Sequence, residues 1–224
     1  FRTLIKPRVN PALQLKGGVK LMAVVKSNAY GHGLVDFAKT VENRVDWFGV
    51  DSITEGLKLR QKGLKKPILT LGYTLPVRLE EAVNSGISLT VSSFEVLNEI
   101  SRLKIKPKIH IKIDTGMHRQ GFFLKDLPQV IKLLKRFKLS PEGLYTHLAA
   151  AKDRLYPSYS FKQVEIFKKA DKLFRHAGYN DYIRHTAASA GTLLYPESHF
   201  DMVRIGIGLY GMFPTKEAEI QSEV

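Results

Sequence analysis

Short apolar runs rich in β-branched residues alternate along the chain with longer stretches in which apolar positions recur every three or four residues. The runs cover residues 21–25, 47–50, 68–71, 88–91, 108–113, 144–147, 182–186 and 202–205. Between them, residues 34–42, 55–62, 77–84, 94–103, 127–137 and 160–176 carry the helical period. A strand covered by helices on its outer face reads as a continuous apolar run, and strict alternation of strand and helix patterns predicts βα units around a parallel sheet. Eight such runs in 224 residues predict an α/β domain, a (β/α)8 barrel of the TIM type. An open doubly wound sheet fits less well, because no glycine-rich dinucleotide turn follows the first run. Pro67, Pro107 and Pro141 stand just before runs, where a lost N–H costs little, and Gly63, Gly86 and Gly178 follow helical stretches as left-handed caps do. Residues 1–18 are expected to form a helical lead-in to the domain, and residues 215–224 the start of a connection to a further one.

Charge alters this picture little. The chain has 35 Lys and Arg against 21 Asp and Glu, a net +14, which raises nucleic acid as a partner. The cations are spread along presumed helix faces, such as Lys132, Lys135, Arg136 and Lys138, or Lys168, Lys169, Lys172 and Arg175, with no nucleic-acid motif around them. They read as solvated faces, and no nucleic-acid partner is expected. The absence of cysteine excludes disulfides, thiolate metal sites and cysteine nucleophiles. A nucleophile must then be Lys, Ser, Thr, His or a carboxylate, and the seven histidines show no metal-ligand spacing, so no metal is expected. No apolar run approaches the roughly 18–20 residues that span a bilayer, and no signal-peptide pattern opens the chain. A cytoplasmic protein without a membrane partner is the expectation, and a chain that opens on Phe1 is expected to be a fragment.

In a βα barrel the chemistry sits at the C-terminal ends of the strands, so the polar residues that follow each apolar run are the informative ones. They are Lys26, Asp51, Ser92 and Ser93, Lys112 with Asp114, His147, His185 with Ser189, and Arg204. Lys26 follows Leu-Met-Ala-Val-Val and so emerges from a buried strand into a low-dielectric mouth, where desolvation favours the neutral, nucleophilic amine. Lys112 alternates with Ile111 and Ile113, which puts it on the same strand face as His110 and Asp114.

The string at 23–33, Ala-Val-Val-Lys-Ser-Asn-Ala-Tyr-Gly-His-Gly, resembles the pyridoxal-phosphate attachment motif of the alanine racemases. The likeness continues in register at 112–119 (Lys-Ile-Asp-Thr-Gly-Met-His-Arg), 146–149 (Thr-His-Leu-Ala), 185–190 (His-Thr-Ala-Ala-Ser-Ala) and 204–211 (Arg-Ile-Gly-Ile-Gly-Leu-Tyr-Gly). It therefore covers about 19–214 and implies the barrel of a fold-type III racemase that interconverts L- and D-alanine, a peptidoglycan precursor, with pyridoxal 5'-phosphate as cofactor.

The resemblance assigns roles residue by residue. Lys26 would carry the cofactor as an internal aldimine and then serve as one of two Cα proton bases. Tyr30, Ser189 and the backbone N–H groups of Gly206 and Ile207 would hold the phosphate. Arg204 would face the pyridine nitrogen; a guanidinium keeps its proton, leaves that nitrogen unprotonated and so disfavours transamination. Arg119 would contact the cofactor's phenolic oxygen and the substrate carboxylate, Lys112 matches a position often carried as a carbamate, and His147 would stack near the ring. Asp51, Ser93 and His185 are read as supporting or structural groups. Two departures stand out: Ala188 replaces the family's usual Asn, and the sequence stops at Val224, whereas alanine racemases continue into a C-terminal β domain. That domain supplies a tyrosine as opposite-face base across a head-to-tail homodimer. The alternatives are a pyridoxal-phosphate homeostasis protein and a serine or broad-specificity racemase.

Overall fold

The computed structural model describes residues 18–153, 155, 157–216 and 219. Eight strands follow one another in chain order: β1 Lys20–Val24, β2 Trp47–Val50, β3 Ile68–Thr70, β4 Ser88–Val91, β5 Ile109–Lys112, β6 Gly143–Tyr145, β7 Ile183–His185 and β8 Met202–Ile205. All ladders are parallel, and β1 pairs with both β2 and β8, in registers that include Met22 with Trp47 and Met22 with Arg204. The seam lies between β7 and β8, where no ladder forms. There the Asp201 N–H donates to the Arg184 carbonyl at 3.0 Å and the Arg204 N–H to the Ala187 carbonyl at 3.0 Å, so the barrel is nearly closed.

Alternation along each strand sorts side chains between two environments. Leu21, Ala23, Phe48, Val50, Ile68, Leu89, Ile109, Ile111, Leu144, Val203 and Ile205 belong to the main core cluster, together with helix residues such as Leu59, Leu97, Leu134, Phe167 and Phe174. Each large side chain buried there contributes about 1.5–3 kcal/mol. Met22, Trp47, Leu69 and Met202 form a separate cluster. On β5 and β8, His110, Lys112 and Arg204 alternate with these outward isoleucines and valines and are nevertheless buried. The barrel interior is thus apolar in one part and strongly polar in another.

The helices end where their local chemistry directs. Ser52 accepts from the Glu55 N–H at the start of Ile53–Gln61, and Ser93 from the Val96 N–H at the start of Phe94–Arg102. Ser93, read from sequence as a supporting or structural group, is a helix cap. Gly63, Gly86 and Gly178 have φ of +87°, +59° and +95°, the left-handed conformation their positions called for. Several strands are shorter than their apolar runs, and β6 ends at Tyr145, so His147 stands two residues beyond it. The expected helical lead-in lies outside the described residues except for Gly18, and of residues 215–224 only Thr215, Lys216 and Glu219 are described.

Candidate active site

β1 delivers Lys26 into an unusual backbone. From Lys26 to Tyr30 the chain makes one tight helical turn, and Ser27, Asn28, Ala29 and Tyr30 have φ of 54°, 55°, 54° and 55°, the left-handed sense. Left-handed helix costs on the order of 1–2 kcal/mol per non-glycine residue, so tertiary contacts must hold it. The Ala29 N–H donates to the Val25 carbonyl at 2.8 Å, the Asn28 Oδ1 accepts from the Leu34 N–H at 2.9 Å, and Gly31 at φ +93° ends the turn. Glu55 adds a clamp from the neighbouring unit: its Oε1 accepts from the Ser27 N–H at 2.7 Å and its Oε2 from the Asp51 N–H at 2.8 Å. With both loops so tied, Lys26 Nζ sits 3.2 Å from Asp51 Oδ1.

Across the mouth, the ends of β7 and β8 form a cradle. Ser189 opens the short helix Ser189–Leu194, and its Oγ accepts from the N–H groups of Gly206 and Gly208 at 3.2 and 3.3 Å. The Tyr30 hydroxyl lies over Gly206 so closely that a Cβ there would stand 2.5 Å from it. Tyr30 is held by Tyr210, whose ring centroid is 5.0 Å away and whose hydroxyl donates to the Val24 carbonyl at 3.3 Å. Two backbone N–H groups and two hydroxyls thus converge at the C-terminal end of β8, the position at which barrels of this kind bind phosphate. Gly206, which the resemblance offers to a phosphate together with Ile207, is one of these donors, and Gly208 is the other.

Between these two sides lies a concentration of cations. Arg204 is buried and donates to the carbonyls of Thr146 at 2.7 Å, His185 at 2.9 Å and Thr186 at 3.0 Å, and to His185 Nδ1 at 2.8 Å. Burial brings it down to about 10, so the guanidinium stays charged at neutral pH. Lys112 is 4% exposed, and burial, then Arg119 and Arg204, push its amine down to about 7. His147, 3.5 Å from the Arg204 Nη2, is lowered to about 3 by burial and then by Arg204 and Lys112, which leaves a neutral ring. Arg119 is exposed on a loop that leaves β5 and returns to it: Asp114 Oδ1 accepts from the N–H groups of Gly116 and His118, and the Phe122 N–H donates to the Lys112 carbonyl.

All of the residues singled out for catalysis or binding, Lys26, Tyr30, Lys112, Arg119, His147, Ser189, Arg204, Gly206 and Ile207, line one cavity of about 720 Å³. Asp51 is the one carboxylate among the described residues of that lining, and Ala188 lines it as well. His185 lies beneath the cavity, stacked on Tyr145 at 4.7 Å. Sequence reasoning missed Glu55, Tyr145, Glu142 and Gln120, whose side-chain amide donates to the Leu71 carbonyl beside the Arg119 loop. Glu55 stands three residues after Ser52, the spacing of a capping box, and that signal could have drawn attention to it. No group of metal-ligating side chains occurs among the described residues.

Fold and site together define a βα barrel whose lysine-bearing mouth is built to attract an anion. A model of the family described as alanine racemase, N-terminal domain, matches residues 8–214, and the chain belongs to that family. It is 41% identical over 203 residues to alanine racemase 1 of Oceanobacillus iheyensis, covering 87% of this chain and 54% of that protein. The alanine racemase of Leptospira interrogans is 37% identical over 223 residues, 98% of this chain and 55% of its own. Among solved structures, Clostridium difficile alanine racemase in complex with cycloserine superposes with a TM-score of 0.85 at 36% identity, over 91% of this chain and 57% of that one. The Bacillus anthracis enzyme with bound L-Ala-P gives 0.82 at 37% identity, over 89% and 53%. The chain spans about half the length of the curated relatives it matches. Membership implies dependence on pyridoxal phosphate, and the homeostasis-protein alternative is not favoured.

Proposed function

We propose that this chain is the cofactor-binding barrel of an alanine racemase, with Lys26 as the lysine that carries pyridoxal phosphate. The observation that supports this most directly is the sharing of one cavity by Lys26 and the Tyr30, Ser189 and Gly206 cradle. The absence of a Cβ at residue 206 lets the Tyr30 hydroxyl close on the cradle, which fits a phosphate group; the cations around it fit the cofactor's other anionic oxygens and a substrate carboxylate. When bound, the cofactor supplies an electron sink for the carbanion left by proton removal at Cα.

The chain's own residues do the rest. Lys26 Nζ, once free of Asp51, would hold the cofactor covalently and, released when the substrate amine replaces it in that bond, would take or return the Cα proton on one face of the substrate. Arg204, charged and fixed by three carbonyls, would present a cation to the ring nitrogen and give it no proton. Neutral His147 packs at the ring without adding a further charge. Arg119 has no hydrogen bond or ion pair among the described residues, so its fork is available to the substrate carboxylate. The second proton carrier, on the opposite face, and the substrate pocket come in this proposal from beyond this barrel, in a homodimer like that of the family, acting on alanine in the cytoplasm.

Borohydride reduction of the cofactor-loaded protein followed by peptide mapping tests the assignment. The pyridoxyl label belongs on Lys26; a label on another lysine with Lys26 unmodified overturns it. Solvent deuterium exchange at Cα tests the division of labour: the barrel alone should exchange one enantiomer of alanine slowly and the other hardly at all. Rapid exchange of both would place a second base within this chain.

A further inference from the structure

Arg204 is buried without a carboxylate within ion-pair distance among the described residues, yet it is the best-connected cation in the barrel. Its Nη1 lies 2.8 Å from His185 Nδ1. His185 Nε2 lies 2.9 Å from His110 Nδ1, and His110 Nε2 lies 3.3 Å from Glu142 Oε2. Both imidazoles are fully buried. Glu142 precedes β6, at the N-terminal end of the barrel, away from the cavity; the row of groups therefore runs from the mouth through the interior to the far end.

The chemistry of the two ends gives this row a single direction. A guanidinium only donates, so His185 Nδ1 accepts and its proton is on Nε2. That proton points at His110 Nδ1, which must accept, so His110 carries its own proton on Nε2 and offers it to Glu142. An ionised carboxylate only accepts. Both rings are then neutral, and every link but the last is a hydrogen bond; His110 Nε2 is buried with only the Glu142 carboxylate facing it. The 3.3 Å contact to Glu142 falls outside hydrogen-bond geometry and acts through charge, and Glu142 is held in place for it by Ser88 Oγ at 2.5 Å and Lys108 Nζ at 3.1 Å.

The surroundings are shaped for this row. Gly143, the residue after Glu142, leaves the space that the His110 ring fills, since a Cβ there would stand 2.1 Å from His110 Nδ1. Trp47 packs edge-on against His110 at 5.3 Å, and Tyr145 stacks on His185 with an interplanar angle of 2°. The charged or titratable groups facing the two rings are Arg204, Tyr145, Lys108 and Glu142. Burial holds both histidines below their usual range, and the hydrogen bonds of Glu142 hold it down to about 2 against its own burial.

We propose that Glu142 is a remote positioning residue for Arg204: facing His110, and through it His185, it supplies the balancing negative charge that fixes the direction of the row and polarises the guanidinium at the cofactor site. Only the last phrase rests on the racemase reading; the row itself does not. Hydrogen bonds in such a chain polarise one another, so a change at Glu142 is felt at His185, which it does not touch.

Histidine ring 15N spectra of the purified protein, with and without pyridoxal phosphate, test this. Both His110 and His185 should be neutral Nε2–H tautomers, with ring shifts constant from pH 5 to 9. Glu142→Gln, which keeps the shape and removes the charge, should shift the ring nitrogens of His185 as well as those of His110. In the loaded protein it should also move the 15N resonance of the cofactor's pyridine nitrogen. An Nδ1–H tautomer or an imidazolium at either ring in the unaltered protein overturns the proposal, and that measurement requires no variant to fold. A Glu142→Gln response confined to His110 overturns it too, because a purely structural carboxylate would act only on its neighbour. None of these readouts depends on racemisation, so the row and the racemase reading fail separately.

Discussion

Lys26 Nζ and Asp51 Oδ1 lie 3.2 Å apart at the ends of adjacent strands, so the proposed nucleophile has a carboxylate partner that must release it before it can bond to a carbonyl carbon. Both side chains are more than a third exposed, at 37% and 56%. A pair so exposed contributes at most about 1 kcal/mol. Asp51→Ala should therefore shift the urea midpoint only slightly and leave the borohydride label on Lys26. A large loss of stability would show that Asp51 has a structural task beyond this pair.

Glu55 should matter more to the site than to the fold. Its two oxygens accept from Ser27 and Asp51, so Glu55→Gln leaves one of these N–H groups without its charged acceptor, a loss of about 0.5–1.5 kcal/mol. Expected results are several-fold weaker cofactor binding and faster hydrogen exchange at the Ser27 amide, with the global unfolding midpoint nearly unchanged.

Lys112 gives a pH dependence whose sign is set by its burial. Its amine falls from the ordinary 10.5 to about 7 in the folded chain, so between those values the unfolded chain binds more protons and stability rises with pH. Lys112→Met should flatten that slope and raise the thermal midpoint more at pH 7 than at pH 10. The same low value leaves a neutral amine above about pH 7, the form that adds carbon dioxide. A carbamate signal from 13C-bicarbonate should appear there, fade as the pH drops below 7, and be missing in Lys112→Arg.

Arg204→Lys should be costly on both counts. A single ammonium cannot serve three carbonyls and His185 Nδ1, and each buried acceptor left unpaired costs about 1–3 kcal/mol. In the loaded racemase, kcat should fall at least tenfold and the aminated cofactor should accumulate, read from its absorbance during turnover with alanine. Unchanged kcat would remove Arg204 from the cofactor.

Two glycines give opposite expectations. At Gly143 an added Cβ meets the His110 ring, which Trp47 and His185 hold from other sides, so Gly143→Ala should lose more than ~3 kcal/mol through overpacking of a closed core. At Gly206 the Cβ meets the hydroxyl end of Tyr30, a side chain 38% exposed and able to swing away. Gly206→Ala should keep its unfolding midpoint but bind inorganic phosphate and pyridoxal phosphate more weakly, measured by calorimetry.

The barrel was readable from the sequence because strands covered by helices leave plain apolar runs, and β2, β4 and β8 match their runs residue for residue. The cavity lining was readable because strand ends point to one rim. What stayed hidden depends on partners distant in sequence: His110 meets His185 75 positions away, and nothing local marks either ring as part of a row. The helix Ser189–Leu194 is too short for its period to show and contains Gly191, which packs near Ala187 and Leu148. The left-handed turn at Ser27–Tyr30 is likewise held in part by Glu55, 28 residues on, a partner that nothing local announces.

That left-handed turn bears on the transplantation of lysine chemistry into designed proteins. The string Lys-Ser-Asn-Ala-Tyr looks portable, yet on an idealised scaffold with ordinary right-handed backbone its lysine and tyrosine, though still on one face, would lose the relation to the strand end that the left-handed turn gives them. A workable graft must carry a carboxylate from the next βα unit, in the place of Glu55, along with the string. The smallest unit that can be moved is therefore two consecutive strand–helix units rather than one motif.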